Sequence, residues 1–227
     1  MIFDIYSFTP PYQLKEVYRQ KPEDTEKSLY IQYEYDKNGN TTKRTIHKTN
    51  TEKDIIAFEF DIMNRLVKTI ENGKVTTYQY DNAGNRFIKK TDSKLSVYLR
   101  HGQIAVAMDV EVNLATTTDK GTINRYILSG DLLAGRVTTV VKADGTEAVE
   151  KYYYHLDHLN STKAVTKSDA TIDVLYEYRA FGEQLKRLDH EGNETGDKAK
   201  YSYGGKELDD NTNLYYLNAR YYDATIV

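Results

Sequence analysis

Aromatic and polar residues alternate along much of this chain, and an aspartate closes each alternation. The phrase reads Tyr33-Glu34-Tyr35-Asp36-Lys37-Asn38-Gly39-Asn40, then Phe58-Glu59-Phe60-Asp61-Ile62-Met63-Asn64-Arg65, then Tyr78-Gln79-Tyr80-Asp81-Asn82-Ala83-Gly84-Asn85-Arg86. A period of two puts both aromatics of each phrase on one face of a strand, whereas a helix would repeat them at i, i+3 and i+4. The aspartate is expected to end the strand by bonding the turn backbone. Tyr35 and Phe60 are 25 residues apart and Phe60 and Tyr80 are 20 apart. A spacing of roughly 20 fits two strands of about 5–6 residues and two turns. The pattern therefore predicts an all-β chain built from antiparallel hairpins, about one per repeat.

Asn38-Gly39, Asn72-Gly73 and Asp144-Gly145 each separate two strand-like runs. They predict two-residue hairpin turns, in which both central residues take positive φ. All three prolines, Pro10, Pro11 and Pro22, fall in residues 1–27, which read as an irregular segment before the strands begin near Ser28.

The composition refines this picture. The chain has 227 residues, 29% of them charged and 39% apolar, with a mean hydropathy of -0.70. That is polar for a packed globule, yet 21 tyrosines are too many aromatics for a disordered chain. Strands with one packed face and one wet face reconcile the two. A net charge of -3 gives no reason to expect a nucleic-acid partner. The absence of cysteine excludes disulfides and thiolate chemistry. No apolar run approaches the roughly 18 residues of a membrane-spanning helix. Met1-Ile2-Phe3-Asp4 lacks the cationic lead of a signal peptide, so none is recognisable.

Little chemistry is visible. His155-Leu156-Asp157-His158 suggests a metal site, but a strand puts His155 and Asp157 on one face and His158 on the other. A hydrogen-bonded turn is the better reading, and no cofactor or metal is expected. Glu207, Asp209 and Asp210 are candidate carboxylates, and Gly204-Gly205-Lys206-Glu207 reads as a tight turn next to an ion pair. Ala219-Arg220-Tyr221-Tyr222 suggests cation–π packing. No glycine-rich phosphate cradle or nucleophile elbow occurs. The tyrosines read as strand packing, with exposed rings for carbohydrate or protein binding as the alternative.

Four phrases follow in order near the C-terminus. They are Tyr152-Tyr153-Tyr154-His155-Leu156-Asp157-His158-Leu159-Asn160-Ser161-Thr162, Tyr176-Glu177-Tyr178-Arg179-Ala180-Phe181-Gly182-Glu183, Gly205-Lys206-Glu207-Leu208-Asp209, and Leu214-Tyr215-Tyr216-Leu217-Asn218-Ala219-Arg220-Tyr221-Tyr222-Asp223. Preceded by the tyrosine-aspartate repeats, they resemble the repeat-associated core of the Rhs/YD-repeat family. The resemblance covers roughly residues 28–223. It implies a curved, spiral-like antiparallel sheet forming part of a hollow shell, closed at its C-terminal end and holding a toxin. It further implies a YD-repeat region over 28–150 and a core end region over 151–227. Asp223-Ala224 stands where the family has Asp-Pro, and the autoproteolytic segment and toxin that follow the core in the family are absent from this sequence.

The resemblance thus implies a non-catalytic encapsulation module, secreted or at the cell surface within a larger system. Its expected partners are the rest of an Rhs shell or a toxin cargo, with self-association through open sheet edges. The positions expected to matter structurally are Tyr35, Asp36, Phe60, Asp61, Tyr80, Asp81, His155, Asp157, His158, Phe181, Gly182, Gly205, Lys206, Glu207, Arg220, Tyr221, Tyr222 and Asp223.

Overall fold

In the computed structural model, the described residues are 3–9, 13–49, 51–101, 105–115, 119–130, 132–195 and 199–226. The chain is all-β and divides into two compact units. One unit runs to Thr77 and includes Ile226; the other runs from Tyr78 to Thr225.

The first unit contains β1 (Phe3–Thr9), β2 (Gln13–Gln20), β3 (Ser28–Tyr35), β4 (Thr41–His47), β5 (Lys53–Phe60), β6 (Leu66–Glu71) and the start of β7 (Lys74–Tyr80). They pair antiparallel in chain order. The segment 1–27, read from sequence as irregular, holds the β1–β2 hairpin. Tyr6, Ser7 and Phe8 pair with Val17, Glu16 and Leu14. The prolines misled because Pro22 lies after β2, outside the strands. Pro10 and Pro11 lie outside the described residues. The core of this unit is Val17, Ile31 and Tyr33, with Leu14, Tyr35, Ile46 and Ile226 against it.

The second unit contains β8 (Arg86–Lys90), β9 (Lys94–His101), β10 (Ala105–Asn113), β11 (Asp119–Ser129), β12 (Leu132–Lys142), β13 (Glu147–Leu156), β14 (Thr162–Lys167), β15 (Ile172–Tyr178) and β16 (Gln184–Leu188). These also follow chain order. A separate three-stranded sheet, β17 (Glu207–Asp209), β18 (Leu214–Tyr216) and β19 (Tyr221–Tyr222), comes last, after a single 3-10 turn at Tyr203–Gly205. Alternation decides which face is packed. Tyr98 and Tyr126 pack with Val106, while Tyr152, Tyr154 and Tyr176 pack with Val165 and Val174.

One loop geometry recurs. Starting at Asp36, Asp61, Asp81, Lys142, Asp157, Lys167, Arg179 and Asp189, the first amide donates to the fifth carbonyl and the fourth amide to the first carbonyl. The fourth residue always has positive φ: Gly39, Asn64, Gly84, Gly145, Asn160, Ala170, Gly182 and Gly192. This is a three-residue loop with a left-handed residue that makes a bulge, and the register shifts between Glu34 and Tyr35 and between Glu59 and Phe60 as a bulge requires. The two-residue turn expected at Asn38-Gly39 is therefore corrected. Only Gly39 is left-handed there, and the same holds at Asp144-Gly145. At Asn72-Gly73 both residues have positive φ, 48° and 84°, and Glu71 pairs directly with Lys74. At Asn38-Gly39, Asp36 Oδ1 accepts from the amides of Asn38 and Asn40, both at 2.9 Å, which helps to hold the longer loop; the loop at Asp144-Gly145 has the same geometry with Lys142 in the first position, and there Asp144 Oδ1 accepts from the Thr146 amide at 2.8 Å.

Candidate functional site

The second unit buries an ion network around Arg86, at the start of β8. Its side chain is 1% exposed and Asp209 is fully buried. Arg86 Nη1 lies 2.8 Å from Asp209 Oδ2, and Nη2 lies 3.0 Å from Glu207 Oε2. Lys89 Nζ adds a 2.6 Å contact to Asp209 Oδ1. Glu207 and Asp209 stand two residues apart on β17, so both carboxylates leave the same face of the strand. Tyr98 donates its hydroxyl to Glu207 at 2.7 Å, and the Arg86 amide donates to the Tyr216 hydroxyl at 2.9 Å. The Arg86 guanidinium also lies 4.3 Å from the Tyr216 ring centre and 5.3 Å and 5.4 Å from those of Tyr78 and Tyr98.

A neighbouring group repeats the design. Lys200 Nζ contacts Asp109 Oδ1 and Glu111 Oε1, both at 2.9 Å. Tyr126 donates to Asp109 at 2.6 Å, and Lys94 Nζ reaches Glu111 at 2.9 Å. Burial alone would raise the carboxyl pKa values, but the cations outweigh it. Asp209 is held at about 2 by Arg86 and Lys89, and Glu111 at about 2 by Lys200 and Lys94. Burial likewise opposes the charge on Arg86, yet Asp209 and other neighbours hold its pKa above the usual value.

Three tyrosine hydroxyls complete the attachment of residues 199–222. Tyr203, Tyr222 and Tyr215 donate to the successive carbonyls of Ala180, Phe181 and Gly182, at 3.3, 2.8 and 2.9 Å. Gly182 sits at φ 94°, and a Cβ there would lie 2.4 Å from the Tyr203 ring, so only glycine lets the ring close down. Backbone contacts add a third tie: the Thr162 amide donates to Ser202 O at 3.1 Å, and the Gly204 amide to Ser161 Oγ at 3.0 Å. The four C-terminal phrases thus meet in one place.

Other expected positions have local roles. Asp36, Asp61, Asp81 and Asp157 each accept two loop amides. Hydrogen bonds lower the Asp36 pKa, the one from the Asn40 side chain most, and those from the Asn85 and Ala83 amides lower that of Asp81. Tyr35 donates to Leu14 O at 2.6 Å, Phe60 is half-buried opposite Leu66, and the Tyr80 hydroxyl lies 3.3 Å from that of Tyr221. His155 Nε2 lies 3.1 Å from Thr166 Oγ1, and His158 is exposed. Among the described residues, no three His, Cys, Asp or Glu side chains are placed to hold a metal. Gly205 and Lys206 donate their amides to Ser202 O and Tyr203 O in the 3-10 turn. Asp223 accepts from the Thr225 amide at 3.0 Å. Phe181 is 55% exposed.

The cation–π packing expected of Arg220 is corrected. Arg220 is exposed, and the cation near Tyr221 is Arg86, 6.0 Å from its ring centre. Sequence reasoning did not single out Arg86, Lys89, Asp109 or Lys200. The signal that could have found them is Glu207-Leu208-Asp209, two acids on one face of a short strand, which cannot be buried without cations from elsewhere.

No family model matches the chain. Curated relatives do. The tRNA3(Ser)-specific nuclease WapA of Bacillus spizizenii is 30% identical over 196 residues, covering 83% of this chain and 7% of that protein. The tRNA nuclease WapA of Bacillus subtilis is 27% identical over 230 residues, covering 88% of this chain and 9% of that protein. The chain therefore spans less than a tenth of the length of these relatives. Among solved structures, a Photorhabdus luminescens Tc holotoxin pore aligns with 99% of this chain and 16% of its own, at 14% identity and a TM-score of 0.41.

Proposed function

Because the chain belongs to the Rhs/YD-repeat family, we propose that it is a non-catalytic structural module that helps to form or close a β-shell around a C-terminal toxin cargo. In this reading residues 28–150 supply repeats, residues 151–227 supply the closing end, and the whole works within a larger secreted or surface system. The observation that carries it is the attachment of residues 199–222 by a buried ion network and three tyrosine hydroxyls. Each carboxylate of the network is engaged by a lysine or arginine, which favours a clamp over an acid–base site.

The nuclease activity in the relatives' names is theirs. Their alignment with this chain takes in only 7–9% of their length. Among the described tyrosines only Tyr153 is exposed, which weighs against a binding face made of tyrosine rings.

Two measurements test the proposal. Incubation with tRNA should leave it intact, and cleavage that co-purifies with the chain would overturn the non-catalytic reading. β1 pairs only with β2 among the described strands, while the outer edge of β16 is bridged at Leu188 by Glu194. An open edge such as that of β1 favours association with further strands. Light scattering should therefore show mass rising with concentration, and a monomer at every concentration would count against a partial shell.

A further inference from the structure

One face of the second unit's sheet carries no charge along a row six strands wide. Ile88 of β8, Val97 of β9, Val110 of β10, Ile123 of β11, Thr139 of β12 and Val149 of β13 pair directly, each with the next. Directly opposed residues of antiparallel strands share a face. Leu95, Val112 and Val141 widen the row on one side, and Arg125, which donates to Thr139 at 3.3 Å, bounds it on the other. Val112 and Val149 are 36% and 58% exposed. Residues 199–222 attach to the opposite face, at Lys89, Tyr98, Asp109 and Glu111. The first unit is built differently. Its face opposite Ile31 and Tyr33 carries Gln32 and the Lys43–Glu34 pair, so the hairpins do not in themselves call for an apolar outer face.

Six strands about 4.8 Å apart and three rows about 7 Å apart make a face of roughly 600 Å². Two such faces in contact would cover roughly 1,200 Å², the lower end for a specific interface. Apolar sheet faces pack on one another at about 10 Å. The ends of one row point to the partner. Lys90 of β8 and Glu147 of β13 flank Leu95, Val112 and Val141 in the same row. Both are exposed, and neither makes an ion pair among the described residues. A two-fold axis parallel to the strands, between two stacked copies, lays β8 of one over β13 of the other and keeps each row over itself. Lys90 of each copy then faces Glu147 of the other, so the face is complementary to itself.

We propose that this face is a dimerisation surface, on which a second copy of the chain packs sheet to sheet about that axis. It does not depend on the shell reading, whose open β1 edge lies in the first unit. Sedimentation equilibrium of the whole chain tests it. The wild type should reach the mass of two copies. Lys90→Glu and Glu147→Lys, both at exposed positions, each set like charges opposite one another twice per dimer. Each alone should weaken dimerisation by roughly tenfold. An equimolar mixture of the two variants puts opposite charges at both ends again and should regain the wild-type strength. A monomeric wild type, or a mixture that associates no better than its components, would overturn the surface. Single variants that associate as tightly as the wild type would also overturn it, and would leave association at the β1 edge standing.

Discussion

The two units hold some of their ion pairs in different ways. In the first, Lys43 meets Glu34 at 2.9 Å and Lys68 meets Glu59 at 2.7 Å, each between adjacent strands with the glutamate more than half exposed. In the second, Arg86 meets Asp209 at 2.8 Å across 123 residues of sequence, with both side chains buried. The first kind of pair is screened by water and contributes little; the second leaves a costly orphan if either partner is lost. The difference separates two tasks. Repeating hairpins need only local register, while attaching a distant segment needs contacts that fail together.

Substitutions can break this comparison. The largest effect is expected from Asp209→Ala, which strands Arg86 and Lys89. It should cost about 3–5 kcal/mol in urea unfolding followed by tyrosine near-UV circular dichroism. The double variant Arg86→Met/Asp209→Leu should lose less than Asp209→Ala, because no buried charge is left alone.

Acid should act on the same contacts. Asp209 falls from the ordinary 3.8 to about 2 and Glu111 from 4.5 to about 2 on folding. A folded pKa below the unfolded one stabilises the fold above the unfolded pKa, and that contribution disappears as pH falls through the folded value. The near-UV signal should therefore hold at pH 5 and decay between about pH 4 and pH 2. An unchanged signal at pH 2 would contradict the network's role.

A smaller loss is expected from Gly182→Ala, which meets both the Tyr203 ring and a positive φ, at about 1–3 kcal/mol. The smallest is Lys43→Ala in the first unit, below about 1 kcal/mol in the same assay.

Much of this architecture was legible because it is local. Period-two alternation marked strands such as Tyr33-Glu34-Tyr35, and the following aspartate marked the loop, since both effects act within five residues. The loop type at Asn38-Gly39 was misread because the dipeptide alone does not fix the loop length; there the Asp36 carboxylate, two residues earlier, binds two amides of the longer loop. The Arg86–Asp209 pair was not legible. Nothing in a single sequence couples an arginine after one hairpin loop to an aspartate 123 positions later. Gly182 was picked out by its phrase, but its reason, the Tyr203 ring above it, is visible only in three dimensions.

Hydrogen exchange by mass spectrometry tests the central claim most directly, with wild type and Asp209→Ala compared peptide by peptide. The account predicts that residues 199–222 exchange as slowly as β8–β11 in the wild type. In the variant that segment should exchange rapidly while β3–β5 keep their protection. Fast exchange of 199–222 in the wild type, or equal protection in both proteins, would contradict it.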